Sequence, residues 1–378
     1  MQLDFSTKQM TVAMKAIKKM FDKGPFSDAD VSTTNDCLVA SVDDGTAMLE
    51  SASAGLHTKV TFPADVKQAG QVSISRLALH ALRLQGERST FTHQPGSRKM
   101  KFKSGQFHGE LSVSEAFDDI EAARPAETPE LTLSMPALVA KAASKRCCLN
   151  ATLDTLLRMK LHVEDGKMTL SCNDSFRAAA VRANLADDAS GSGELEVPAV
   201  FFNTVLQSIE DQQIRFGFND KVFRIFGGGF DVCHPVMQEN EKPMADVFGK
   251  FEQLKRKPPL VVASVSPPAI RDAITAVTSV APVGSGNEIR VDLTFSDKNN
   301  GQLTTSMQSA VSKGKYTIPL QALRKLETED PITMNAKFLL EMFALLSADE
   351  ADFYAWEQLV VLHAEKVGCC MIMPQLVS

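Results

Sequence analysis

Residues 3–21 read LDFSTKQMTVAMKAIKKMF. Leu3 and Phe5 alternate with polar neighbours, as in a short half-buried strand, and Ser6 or Thr7 can cap a helix starting there. Beyond them the apolar period changes to that of a helix, about 100° per residue. Met10, Ala13, Met14, Ile17, Met20 and Phe21 fall on one side. Lys8, Lys15, Lys18 and Lys19 fall on the other, with no acidic residue among them. One face calls for a core and the other for anions.

The strand-then-helix pattern recurs. Residues 72–75 lead into a helix over 76–84, 131–134 into 136–146, 195–197 into 198–209, 260–262 into 269–277, and 332–334 into 336–346. With the first, these make six units at intervals of about 60–70 residues, the mark of a structural repeat. Ser75, Pro136, Pro198, Pro268 and Asn335 punctuate the helix starts. Between the units run alternating segments with turn residues, such as 160–163, Asp165-Gly166, 168–172, and 222–226 before Gly227–Gly229. These predict antiparallel hairpins. Each unit is then one helix with several strands, and two units make an α+β domain with two helices on one side of its sheets.

Stretches 118–129, acidic with two prolines, and 250–259, with Lys255-Arg256-Lys257 and two prolines, read as linkers. Three domains follow, at 1–125, 126–252 and 253–378. A chain of 378 residues is too long for one ordinary core, which agrees. No apolar run approaches the roughly 18 residues of a membrane span, and the first residues lack a signal-peptide layout, so a cytoplasmic protein without membrane partners is expected. Seven cysteines, an odd number without CxxC, predict buried free thiols rather than a disulfide framework. The net charge of −6 hides a strongly basic first helix. A DNA-wrapping protein needs positive charge only where it faces phosphate.

Little supports catalysis. The sequence has no HExxH, Cys/His cluster, GxSxG, P-loop or GxGxxG, and no acidic pair such as DxD beside a strand with basic partners. No cofactor, metal or catalytic residue is expected. The basic helix faces carry more. Arg76 and Arg83 lie seven apart, Lys141, Lys145 and Arg146 cluster on the third helix, and Arg271 and Lys337 stand near the starts of the fifth and sixth. A lone basic face is usually a solvated one. Recurrence opposite the apolar stripe favours contacts to phosphate, which hold DNA without reading its sequence.

Two stretches remain, 168–181 and the hydrophobic end 369–378. They resemble the bacterial DNA polymerase III beta subunit, the sliding-clamp family. That family ends a second-domain strand in Thr-Asp-Gly-His-Arg-Leu. Here Asn173-Asp174-Ser175-Phe176-Arg177-Ala178 stands in that place. The family's last strand, Val-Val-Met-Pro-Met-Arg-Leu, is paralleled by Met371-Ile372-Met373-Pro374-Gln375-Leu376-Val377 before Ser378. Met334-Asn335-Ala336-Lys337-Phe338 parallels a Phe-Asn-x-x-Tyr pattern, and Lys242-Pro243-Met244-Ala245 a Phe-Pro-Asp-Tyr turn. Ser175 and Phe176 replace the family's glycine and histidine, so the chain looks like a divergent member, of a kind a phage could encode.

The resemblance implies three DNA-clamp domains per chain and a ring of two chains joined head to tail, with helices inside and sheets outside. Such a homodimer would encircle double-stranded DNA without sequence preference. A DNA polymerase, a clamp loader and other proteins carrying a clamp-binding motif would dock a short peptide. Carried over, the peptide pocket is Leu157, Asn173, Phe176, Arg177, Ala178, Pro243, Val247, Asn335, Phe338, Met371, Ile372, Met373 and Pro374. The expected role is a non-catalytic processivity factor. The rival is a clamp-fold decoy or adaptor that binds replication proteins without loading on DNA, for which the basic first helix would be superfluous.

Overall fold

All six strand–helix units form. The computed structural model describes residues 1–22, 37–53, 56–149, 157–174, 176–185, 189–236, 246–281, 289–309 and 312–376. Among them lie eight α-helices: α1 Thr7–Asp22, α2 Arg76–Ala81, α3 Asp118–Ala123, α4 Ala137–Cys147, α5 Ala199–Ser208, α6 Val247–Lys255, α7 Pro267–Thr278 and α8 Ala336–Leu346. The strands Gln2–Ser6, Gln71–Ile74, Leu133–Pro136, Gly193–Pro198, Val261–Val265 and Ile332–Asn335 lead into α1, α2, α4, α5, α7 and α8. Asn335 caps α8 as its type predicts, its Oδ1 accepting from the Phe338 amide at 3.2 Å. At Ser75 the expected side-chain cap bond is absent, although the residue does hold the N-cap position.

The chain divides into two compact units, Met1–Lys141 with Leu185–Gln238, and Ala142–Asn184 with Glu239–Ser378. In the first, twelve antiparallel strands run in the order Gln2–Ser6, Arg88–His93, Lys99–Ser104, Phe107–Ser114, Gln71–Ile74, Cys37–Asp43, Thr46–Ser53, Leu56–Gln68, Phe230–Pro235, Val222–Gly227, Gln213–Phe218 and Leu133–Pro136. Leu56–Gln68 is the seam. Its residues 64–68 pair back onto Gln2–Phe5, so the first eight strands close on themselves. Its earlier part carries Phe230–Cys233 on the edge opposite Thr46–Ser53. Phe5 meets Phe62 and Phe91 edge to face at 5.8 and 4.8 Å in the core. Helix α1 lays Met10, Ala13, Met14 and Ile17, all at most 7% exposed, toward these strands and touches α2 and α5. Burying each of the larger three side chains favours folding by about 1.5–3 kcal/mol.

In the second unit one sheet runs Arg158–Glu164, Lys167–Asn173, Ala178–Asn184, Cys369–Pro374, Leu359–Ala364, Ala351–Ala355, Val261–Val265 and Ala322–Leu326, every pair antiparallel. A four-stranded sheet, Lys313–Pro319, Gln302–Gln308, Arg290–Ser296 and Ile332–Asn335, lies under α7. Helices α7 and α8 pack on each other. Asp165 and Gly166, both at positive φ (49° and 68°), make the hairpin turn the sequence predicts, and Gly228 and Gly229 (56° and 81°) make another.

Two expectations change. Helix α2 stops at Ala81, short of residue 84, because the following backbone is claimed by neighbours: the Gln85 amide donates to Ser104 Oγ at 2.6 Å, and Glu87 O accepts from the Thr7 amide at 3.0 Å. The stretches read as linkers contain α3 and most of α6, and α6 buries Val247, Phe248 and Phe251. The hydrophobic end lies inside its sheet. Cys369–Pro374 is paired on both sides, which is why it is apolar throughout.

Candidate nucleic-acid face and partner site

Lys8, Lys15 and Lys18 stand exposed on α1, opposite its buried stripe. Lys19 belongs to the same helix, but its side chain lies outside the described residues. Lys15 and Lys18 share a hollow of about 350 Å³ with Arg83, over Thr11, Met14, Leu82 and Leu84, and its lining contains no carboxylate among the described residues. Arg83 reaches this hollow by a route the sequence did not predict. It does not sit on the α2 face with Arg76, because α2 has ended and Leu82 is extended (ψ 121°). Arg76 is half-buried. Lys8 lines a separate hollow with Gln9, Val12 and Glu210.

The other basic positions are less alike than their spacing suggests. Lys141 is half-buried and donates to the carbonyl of Ile209, the residue that closes α5, while Gln207 of α5 donates to Lys141 O at 3.1 Å. A cation on the last carbonyls of a helix is a C-cap, so this lysine joins α4 to α5. Lys145 is exposed and Arg146 half-buried in the last turn of α4. Arg271 and Lys337 are exposed on α7 and α8, Arg271 lying 3.9 Å from Asp272.

Nine of the thirteen expected pocket residues sort into three groups, all in the second unit. Phe176, 42% exposed, lies 5.7 Å from Phe338 ring to ring. The Arg177 guanidinium sits 4.5 Å above Phe338 and bonds Asp174 (3.1 Å) and Glu341 (2.6 Å), its side chain fully buried. Asp174 Oδ1 also accepts the amides of Phe176 and Arg177, both at 2.8 Å, which shapes the loop, and Asn335 caps α8 beside Phe338. Arg177 is therefore a brace whose charge is already balanced by two carboxylates. Neither Asp174, although it stands in the quoted motif, nor Glu341 was among the expected pocket residues. The three-residue Asp174–Arg177 spacing is a visible signal, whereas Glu341 is reached only through the tertiary fold.

In the second group, Ala178, Val247 and Ile372 pack in one cluster beneath α6 with Ala180, Phe248 and Phe251. In the third, Met371 and Met373 are 0% and 1% exposed. Strand alternation turns them to the sheet face opposite Ile372, so the last strand gives the α6 face one of these side chains and not three. Leu157 is buried just before the strand that pairs Arg158 with Asn173, while Asn173 and Pro374 are half-buried at strand ends. Pro243 lies outside the described residues.

The seven cysteines are free and buried, as expected from their number. Burial pushes the Cys147 thiol well above its ordinary value and Cys369 up to about 12. Among the described residues, no group of three or more His, Cys, Asp or Glu is placed to hold a metal ion, and no helix is long and apolar enough to cross a membrane.

No protein-family model and no curated protein sequence matches the chain. Solved structures do. The sliding clamp of Bacillus subtilis superposes with TM-score 0.78 at 12% identity, covering 100% of this chain and 99% of that one. The fold is that of a sliding clamp. The DNA polymerase III beta subunit of Thermotoga maritima gives 0.78 at 13% identity, again over 100% and 99% of the two chains. The Pseudomonas aeruginosa sliding clamp bound to griselimycin gives 0.78 at 12% over all of both. The clamp fold thus runs from one end of the chain to the other, on a sequence that shares little with these clamps.

Proposed function

We propose that the chain is a processivity clamp. Three domains, 1–125, 126–252 and 253–378, make half a ring, and two chains joined head to tail complete six domains around duplex DNA. The observation that carries the DNA reading is the convergence of Lys15, Lys18 and Arg83 on one hollow without a carboxylate among its described lining residues. Their point charges hold phosphate and read no base, so the ring stays mobile on the duplex. Polymerase, clamp loader and other replication proteins dock on the second unit around Phe176 and Phe338. The role is non-catalytic and cytoplasmic.

Retention on DNA tests the reading. The protein is loaded on nicked circles with a loader, and the circles are then linearised. A ring slides off the linear form and stays on the circle. Equal retention on both forms refutes topological binding, and no retention on either, with partner binding intact, leaves the adaptor role. Light scattering should give twice the mass of one chain.

A further inference from the structure

The hollow shared by Lys15, Lys18 and Arg83 offers more than charge. Its other described lining residues are Thr11, Met14, Leu82 and Leu84. Met14 and Leu82 are buried and Leu84 is half-buried, so apolar side chains and three cations meet in one place. Both walls are fixed. On one side, Ala13, Met14 and Ile17 anchor α1 in the core. On the other, the Leu82 amide donates to Leu79 O at 3.2 Å, closing α2. Three residues on, the fully buried Ser104 hydroxyl holds Gln85 twice, accepting from its amide and donating to its carbonyl, both at 2.6 Å. The hollow is therefore formed before anything enters it, which lowers the ordering cost of binding. A duplex gives such a hollow phosphate alone, because its bases are stacked and paired. A single strand also gives it the face of a base.

We propose that this hollow seats one unpaired nucleotide of a single-stranded segment. The phosphate lies on Lys15, Lys18 and Arg83, and the base lies on Leu84 beside Met14 and Leu82. A volume of about 350 Å³ is at the small end of ligand pockets, which suits one nucleotide. No carboxylate among the described lining residues opposes the phosphate. Every base has an apolar face, so the contact tolerates any sequence. Leu84 is aliphatic and holds a base less firmly than an aromatic ring would, so the nucleotide exchanges readily. Resting on the DNA-facing role proposed for the three cations, the site adds a preference: the protein lingers where paired DNA gives way to single strand.

The full chain is titrated with a 5′-phosphorylated trinucleotide carrying 2-aminopurine at its centre, whose fluorescence reports occupancy. A counterpart with an abasic central residue has the same charge and is followed by calorimetry. The base-bearing form should bind saturably, weaken with added salt, and bind roughly tenfold tighter than the abasic one. Leu84→Gln should remove the difference between the two forms, and Leu84→Met should restore it. Lys15→Gln with Lys18→Gln and Arg83→Gln should abolish binding of both. These three side chains are exposed, so the melting curve should stay in place. The proposal is overturned if no saturable signal is seen up to about 1 mM trinucleotide, if the abasic form binds as tightly as the base-bearing one, or if Leu84→Gln keeps the full difference. Retention on nicked circles separates the two readings. A chain that is retained but ignores the base keeps the clamp role and loses this site. A chain that prefers the base but is not retained keeps the site and loses the ring.

Discussion

Arg177 lies with its guanidinium 4.5 Å from the centre of the Phe338 ring, tying the loop after Lys167–Asn173 to helix α8. The same side chain bonds Asp174 and Glu341 while fully buried. Removing one member of such a group strands the others. Arg177→Met should therefore lower unfolding free energy by about 3–5 kcal/mol. Phe338→Leu keeps both ion pairs and removes the ring, so it should lose less of the polar stabilisation, about 0.5–2 kcal/mol for the cation–π contact. Urea unfolding of the two variants checks the order.

Glu50 is 2% exposed and receives His57 Nε2 and Arg124 Nε, each at 2.7 Å. Burial alone would raise its carboxyl, but the hydrogen bonds outweigh it and hold the group at about 2, below its ordinary 4.5. The folded pKa is the lower one. The stabilisation is thus complete above the unfolded value and is lost as pH falls from about 4.5 toward 2, about 3 kcal/mol in all. Wild-type denaturation midpoints should fall across that window, and Glu50→Gln should flatten the fall.

His234 packs between Phe201 and Phe223, with ring centroids at 4.7 and 5.3 Å. Burial lowers it to about 4 from an ordinary 6.5, against the opposing bond to Pro235 O. The unfolded chain takes up this proton first, so stability declines as pH drops from about 6.5 to 4, by about 3 kcal/mol. NMR should find the His234 ring neutral at pH values where a free histidine is mostly protonated.

All seven thiols are buried, and the shifts at Cys147 and Cys369 keep them protonated. A thiol reagent at mildly alkaline pH should label none in the native protein and all of them after unfolding. Fast labelling of any cysteine in the native state would contradict this burial.

Reversing Lys15, Lys18 and Arg83 together should shorten retention on circular DNA. The salt dependence of DNA binding should also weaken, by about 0.9 in logarithmic slope for each phosphate that is no longer neutralised. Lys141→Gln should change retention much less and thermal stability more, because that ammonium already caps α5. Equal effects on retention would return Lys141 to the DNA-binding set.

Much of the fold could be read from periodicity. The switch from alternation to a helical period marked six strand–helix starts, and the predicted bounds of α8 match those observed. Asx and glycine turns announced the hairpins because few residue types accept positive φ. The end of α2 could not be read, since local propensity does not know that Ser104 takes the Gln85 amide. Helix α6 was hidden by a charged, proline-flanked sequence, although Val247, Phe248 and Phe251 already carried its buried side.

The basic positions show the same division. The amino-acid order by itself determined that α1 would have one apolar and one cationic side, because side-chain direction on a helix follows from spacing alone. Which cations act together was decided only by tertiary structure. Arg83 joins Lys15 and Lys18 from an extended segment, Lys141 is engaged by a backbone carbonyl, and Arg177 is enclosed by carboxylates from a loop and a distant helix. A charge acts through its neighbours within a few ångströms, and in a chain with so many long-range strand pairings those neighbours are seldom neighbours in sequence.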